Sequence, residues 1–181
     1  MPPSESSRAK RFRGLMAPHL DSAYGLARYL CRDATSAEDI AQDALLKAFA
    51  GFDGFRGGSP RAWLLAIVRN AYIDWGRRSR AWRGPGEQHL GMDEAAEIAD
   101  PDMPTPEAAL IARGDAVALR GAIEALAEPY RETLVLRDIE GLNYQQIAEI
   151  TGAPVGTVMS RLSRARRALI DRLAPNEGMR E

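Results

Sequence analysis

The stretch NYQQIAEITGAPVGTVMSRLSRARRALIDRL, residues Asn143–Leu173, decides how this 181-residue chain is read. It has the pattern of two helices joined by a short turn. Asn143 is a natural N-cap, and Gln146, three residues on, completes a capping box. Ala148 is small where two helices must approach closely, Gly152 supplies the turn, and Pro154 pre-sets the start of the next helix. At about 100° per residue, Val158, Leu162, Ala165 and Leu169 fall on one stripe. Thr157, Ser160, Arg164 and Arg167 fall roughly opposite, with Arg161 on the flank. Hydroxyls and guanidiniums on the outward face of a helix suit a DNA major groove. A plain helical hairpin with solvated arginines is the bland alternative. The small, glycine and β-branched residues at positions 148, 152 and 158 argue instead for the tight crossing of a helix-turn-helix.

Overall charge conceals how the cations are distributed. With 24 Lys and Arg against 25 Asp and Glu, the net charge is −1, which excludes a globally basic nucleic-acid binder. Locally, residues 61–83 hold six Arg against Asp74, and residues 161–172 hold five Arg against Asp171. Residues 84–107 carry seven acidic side chains and no Lys or Arg. Two basic blocks separated by an acidic spacer point to local rather than global recognition of nucleic acid. One cysteine, Cys31, and two distant histidines provide neither an internal disulfide nor a metal site, so no cofactor is expected. The N-terminal segment lacks the apolar core of a secretory signal, and no apolar run approaches the roughly 20 residues that span a bilayer. A reducing, cytoplasmic setting is therefore expected, with Cys31 acting as a small hydrophobe.

Helical periodicity dominates, so the expected fold is all-α. Two small helical bundles, residues 8–82 and 107–174, are joined by a flexible acidic linker at 83–106 that is rich in Pro and Gly. In the first block, Leu20–Cys31 is apolar at Leu20, Ala23, Tyr24, Ala27 and Leu30. Ser36 is expected to cap the next helix, which buries Ile40, Ala41, Ala44, Leu45, Ala48 and Phe49. Its other side gathers Asp39, Gln42, Asp43 and Leu46. Leu46 is either one exposed leucine of no consequence or the apolar centre of a carboxylate-rimmed protein-binding surface. Ser59-Pro60 opens a helix running to about Arg80, with Leu64, Val68, Ala71, Tyr72 and Trp75 facing the core. Trp63, Asn70, Asp74 and Arg77 line a separate stripe, with Arg69, Arg78 and Arg80 nearby. Aromatic, amide and guanidinium groups together suit single-stranded nucleic acid, although Trp63 could equally complete the core. The preceding Gly-rich loop adds Phe52, Phe55 and Arg56.

Three stretches in this order, AEDIAQDALLKAF (Ala37–Phe49), SPRAWLLAIVRNAYIDWGRRSR (Ser59–Arg80) and the helix-turn-helix, resemble a bacterial RNA polymerase sigma factor of the extracytoplasmic-function (ECF) class. The resemblance covers roughly Arg8 to Leu173. It implies a factor that binds core RNA polymerase and directs promoter-specific initiation at −10 and −35 elements, under control of an anti-sigma factor. Carried onto this chain, it assigns Asp39, Gln42, Asp43 and Leu46 to polymerase contact. Trp63, Asn70, Arg77 and Arg78, with Phe55 and Arg56 beside them, fall to recognition and melting of the −10 element. Thr157, Ser160, Arg161, Arg164 and Arg167 fall to the −35 element. Met159 and Ser163 depart from the family pattern, which leaves the −35 sequence itself open. The acidic linker resembles the segment that threads basic polymerase channels. Weak DNA contacts by each block would multiply when both are held on one polymerase.

Rival functions explain less. An enzyme would need a phosphate loop, a nucleophile with its base, or a convergent carboxylate pair, and the chain has none of these motifs. A conventional helix-turn-helix regulator leaves the Trp63–Arg80 stripe and the Asp39/Gln42/Asp43 face idle. A sigma mimic that only sequesters an anti-sigma factor has no need of Arg77, Arg78, Arg161 and Arg164.

Overall fold

The computed structural model describes residues 5–83 and 116–174, with side chains from residue 7 to 79 and throughout the second range. Every regular element among the described residues is helical. The acidic linker and the first residues of the second block, 84–115, lie outside the described residues, as does the side chain of Arg80. The chain divides into two compact units, residues 1–90 and 91–181, each with its own core.

In the first unit, α1 (Glu5–Met16) and α2 (Leu20–Cys31) are linked by a single 3-10 turn at Ala17–His19. Helices α3 (Ala34–Ala50) and α4 (Pro60–Arg83) complete the bundle. Its core is made of small and aliphatic side chains: Ala23, Leu26, Ala27 and Leu30 from α2, Ala37, Ile40, Ala41, Ala44 and Ala48 from α3, and Leu64, Leu65, Val68 and Ala71 from α4. Alanine at four of the five core positions of α3 lets its neighbours approach closely, which places the outer faces of α3 and α4 side by side.

Three sequence expectations for this unit are corrected. The N-cap of α3 is Asp33, whose carboxylate accepts from the Ser36 N–H at 2.8 Å, so Ser36 lies inside the first turn. That hydrogen bond to the charged form lowers the Asp33 pKa. Leu20 and Tyr24 sit at an exposed edge of α2, and Leu26 takes the buried place. Tyr72 and Trp75 are half-buried and stack on each other, with centroids 6.2 Å apart. Burial raises the Cys31 thiol pKa, so it stays protonated, and it donates to the Asp33 carbonyl.

The second unit contains α5 (Ala116–Glu124), α6 (Glu128–Leu134), α7 (Tyr144–Thr151) and α8 (Val155–Leu173). Helix α6 widens into a π-helical turn at Val135–Ile139, where the Glu140 N–H donates to the Val135 carbonyl. Both halves of the Asn143–Gln146 capping box are formed. Gly152 closes α7 at φ +70°, a left-handed conformation, and a Cβ there would meet nothing within 4 Å. Glycine is thus required by the backbone angle and not by crowding. The stripe Val158, Leu162, Ala165 and Leu169 is buried with Ile147, Leu134, Val135 and Leu136.

Candidate nucleic-acid interface

On α3, Asp39, Gln42, Asp43 and Leu46 follow the i, i+3, i+4, i+7 spacing of one helix face. Asp39 and Gln42 are exposed, and Leu46 is 69% exposed. Asp43 is less accessible, with one cation beside it from its own helix and another from α4. Its Oδ2 lies 3.1 Å from Lys47 Nζ and 3.7 Å from Arg78 Nη2. Lys47 also reaches across to Asp74, 2.8 Å away. The hydrogen bond from Lys47 lowers the Asp74 pKa, and Asp74 and then Asp43 raise that of Lys47. The face assigned to polymerase and the face assigned to the −10 element therefore meet at one ionic cluster.

Along α4, Asn70, Arg77 and Arg78 are exposed. Trp63 stands at the N-terminal end of the same stripe, about 21 Å from Arg77 at 1.5 Å per residue. It is half-buried, 5.2 Å from the ring of Phe55 and 6.5 Å from that of Phe52. Trp63 thus closes an aromatic cluster while keeping part of its surface accessible. Arg56 is exposed in the loop just before it. The Ser59 hydroxyl accepts from the Ala62 N–H at 3.2 Å and so fixes where α4 begins.

In the second unit, α8 exposes Arg167 and keeps Thr157, Arg161 and Arg164 partly accessible. Ser160 corrects its sequence placement. It is only 8% exposed, and its hydroxyl donates to the Thr157 carbonyl at 3.0 Å. A helical wheel gives direction but not depth, and a short side chain that bonds its own backbone is easily covered by longer neighbours.

Beneath α8 lies a contact absent from the sequence reading. Arg166 makes a bidentate ion pair with Asp138 of the π-helical turn, Nε to Oδ2 at 3.0 Å and Nη2 to Oδ1 at 2.6 Å. The two side chains are only 8% and 5% exposed. Asp138 raises the Arg166 pKa, so the guanidinium stays charged. A signal was present: Arg166 follows Leu162 by four residues and precedes Leu169 by three, which puts it on the buried stripe, where a cation requires a partner. Nearby, the Arg137 Nη1 donates to the Leu142 carbonyl at 2.8 Å, and its guanidinium lies 4.9 Å from the Tyr144 ring centroid. The turn between α6 and α7 is therefore held by side chains from both sides. Among the described residues, no group of three His, Cys, Asp or Glu is suited to a metal ion.

A four-helix unit with an aromatic and cationic stripe, followed by a helix-turn-helix unit, defines a two-module promoter-recognition protein. Residues 15–83 match the family model described as Sigma-70 region 2, and residues 116–169 match Sigma-70, region 4. The RNA polymerase sigma-H factor of Pseudomonas aeruginosa is 33% identical over 175 residues, covering 92% of this chain and 88% of that protein. The ECF RNA polymerase sigma-E factor of Haemophilus influenzae is 32% identical over 173 residues, covering 92% and 89%. Among solved structures, the sigma factor RpoE in complex with the anti-sigma factor NepR from Bartonella quintana superposes with a TM-score of 0.70. It is 29% identical, covering 91% of this chain and 97% of that one. The structure of CnrH in complex with the cytosolic domain of CnrY gives a TM-score of 0.59 at 26% identity, covering 90% and 87%. The chain belongs to the sigma-70 family, in its ECF class. Its function is to bind core RNA polymerase and direct promoter-specific initiation of transcription.

Proposed function

We propose how that function is divided among the residues of this chain. Residues 8–82 form the polymerase-binding and −10-reading module, 83–106 the connecting acidic segment, and 107–174 the −35-reading module. Asp39, Gln42, Asp43 and Leu46 dock on polymerase, with Leu46 as the apolar centre and the polar groups as its rim. Trp63 and Asn70 receive bases of the separated strand, while Arg77 and Arg78 neutralise phosphates. Arg161, Arg164 and Arg167, with Thr157, read and grip the −35 major groove. Ser160 contributes by shaping the start of α8 rather than by touching DNA. The observation that carries this division is the adjacency of two unlike faces, Asp39 to Leu46 on α3 and Trp63 to Arg78 on α4.

The same faces are the natural targets of an anti-sigma factor. Such a partner, NepR, accompanies the RpoE fold, and a partner that covers either face would block initiation. The protein acts in the cytoplasm as a non-catalytic subunit; no helix among the described residues is long and apolar enough to cross a membrane. Run-off transcription with purified core polymerase and a genomic promoter library tests the division. The expected products start downstream of a shared −10 and −35 pair. Trp63→Ala and Asn70→Ala should reduce strand opening at those promoters while leaving polymerase affinity unchanged. Normal opening by both variants would remove the stripe from −10 recognition.

A further inference from the structure

Helix α1 carries RAKRFRG at residues 8–14, just ahead of the residues 15–83 that match Sigma-70 region 2. None of its four cations has a role in the division above. Arg8 is engaged internally. Its Nη2 donates to the Phe49 and Ala50 carbonyls at 2.7 and 3.1 Å, and its Nε lies 3.2 Å from Asp53. Phe12, one turn on, meets the rings of Phe49 and Phe52 edge-on at 5.2 and 5.3 Å. These contacts clamp α1 to the end of α3 and to the turn that leads into α4.

Arg11 is placed differently. It is exposed, and among the described residues no carboxylate pairs with it. Its guanidinium lies 5.3 Å from the centroid of the Phe52 ring. That ring stacks on Phe55 at 6.3 Å with 9° between planes, and Phe55 lies 5.2 Å from Trp63. A continuous row of contacts thus runs from an exposed cation to the partly accessible indole.

We infer that Arg11 binds a backbone phosphate of the separated promoter strand whose base is received at Trp63, with Lys10 adding positive charge from the outer side of α1. The inference rests on the assignment of Trp63 to strand opening. Surfaces that hold single strands pair aromatic platforms with cations that follow the backbone. Here an aromatic platform already has a cation at its rim. A guanidinium against an aromatic face keeps its in-plane N–H groups available for phosphate oxygens. The clamp by Arg8 and Phe12 holds α1 in place, so little order need be gained on binding. A phosphate contact carries no sequence information, so its effect is the same at every promoter.

The test uses holoenzyme assembled from core RNA polymerase and full-length Arg11→Gln or Arg11→Lys. It measures the dissociation constant of fork-junction DNA with a single-stranded −10 segment, from about 50 to 200 mM salt. Arg11→Gln should flatten the plot of log affinity against log salt by about 0.7, the increment for one single-strand phosphate. Binding at the lowest salt should weaken several-fold, equally for two different −10 sequences. Arg11→Lys should retain the wild-type slope, and circular dichroism should show both variants folded. An unchanged slope for Arg11→Gln overturns the inference. Weaker affinity for core polymerase with an unchanged DNA slope also overturns it, and gives Arg11 to an acidic polymerase surface instead. Trp63→Ala on the same probe separates two failures. If it weakens binding and Arg11→Gln does not, only the Arg11 contact is lost; if neither does, the assignment of Trp63 falls with it.

Discussion

The two units handle charge in opposite ways. In the C-terminal unit the arginines of α8 are sorted by depth. Arg166 turns inward and is matched by Asp138, while Arg161, Arg164 and Arg167 keep access to solvent. In the N-terminal unit the candidate binding groups are shared at the surface, where Asp43, Lys47, Asp74 and Arg78 pair across α3 and α4. The first arrangement separates the cation that holds the helix from the cations proposed to meet DNA. The second lets the same charges serve the fold in the free protein and partners in the complex. Exposed pairs are weakly bound and easily exchanged, whereas a buried bidentate pair is costly to break. The C-terminal unit should therefore behave as a rigid body, and the N-terminal unit as one whose surface charges re-pair on assembly.

Removing Asp138 breaks that contrast where it is strongest. Asp138→Ala strands the Arg166 guanidinium in a buried site and should cost about 3–5 kcal/mol, a large share of the roughly 5–15 kcal/mol that stabilises a domain. The sequence provides a clean readout. Trp63, Trp75 and Trp82 all precede residue 84, so tryptophan fluorescence reports only on the N-terminal unit. In urea, the variant should lose part of its circular dichroism early while the fluorescence midpoint stays put. Replacing both partners, as Asp138→Leu with Arg166→Met, should recover most of the loss. Coincident early transitions by both probes would show that the two units do not unfold independently.

Arg164→Ala tests the outward row. If Arg164 contacts a base, the upstream element should lose about 1–3 kcal/mol of binding, with relaxed preference at one position. Gel-shift competition between holoenzyme and single-base variants of the −35 element measures it, and unchanged preference removes the base contact. Gln42→Ala with Asp43→Ala tests the other unit. Polymerase affinity should fall on the order of tenfold, about 1.4 kcal/mol, while helicity is kept. An unchanged affinity would return that face to ordinary solvated surface.

How much of this was legible in the sequence follows the range of each interaction. The capping box at Asn143, the glycine turn at position 152 and the buried stripe of α8 depend on neighbours within a turn or two, and spacing alone exposes them. The start of α3 was misplaced because Asp33, Thr35 and Ser36 are all residues that favour caps, and only geometry shows that the carboxylate takes the role. Ser160 was misjudged because direction on a wheel says nothing of depth. The Asp138–Arg166 pair spans 28 residues and a π-helical turn, so only half of it, an arginine on an apolar stripe, is written locally. The aromatic row from Arg11 to Trp63 joins α1, a turn and α4, and no local periodicity records it. Tertiary ion pairs and aromatic rows are set by how helices meet, which is where sequence reading thins out.

The smallest effect bears most directly on the exchangeable cluster. Lys47→Met removes the cation shared by Asp43 and Asp74. The folded-state pKa of Asp74 is lowered, so its contribution is present above the unfolded value near 3.9 and is lost as pH falls through the folded value. The pKa of Lys47 is raised, so its contribution is present below about 10.4 and is lost only as pH rises through the still higher folded value. The stability difference between wild type and Lys47→Met should thus be a plateau between roughly pH 4 and 10, closing at both ends. It should stay small throughout and shrink further with added salt, because these groups are substantially exposed. Urea denaturation followed by tryptophan fluorescence across that range would measure it. A large, salt-insensitive difference would mean that the cluster is as fixed as the Asp138–Arg166 pair, and that Asp43 and Arg78 are not available to exchange partners when polymerase and DNA arrive.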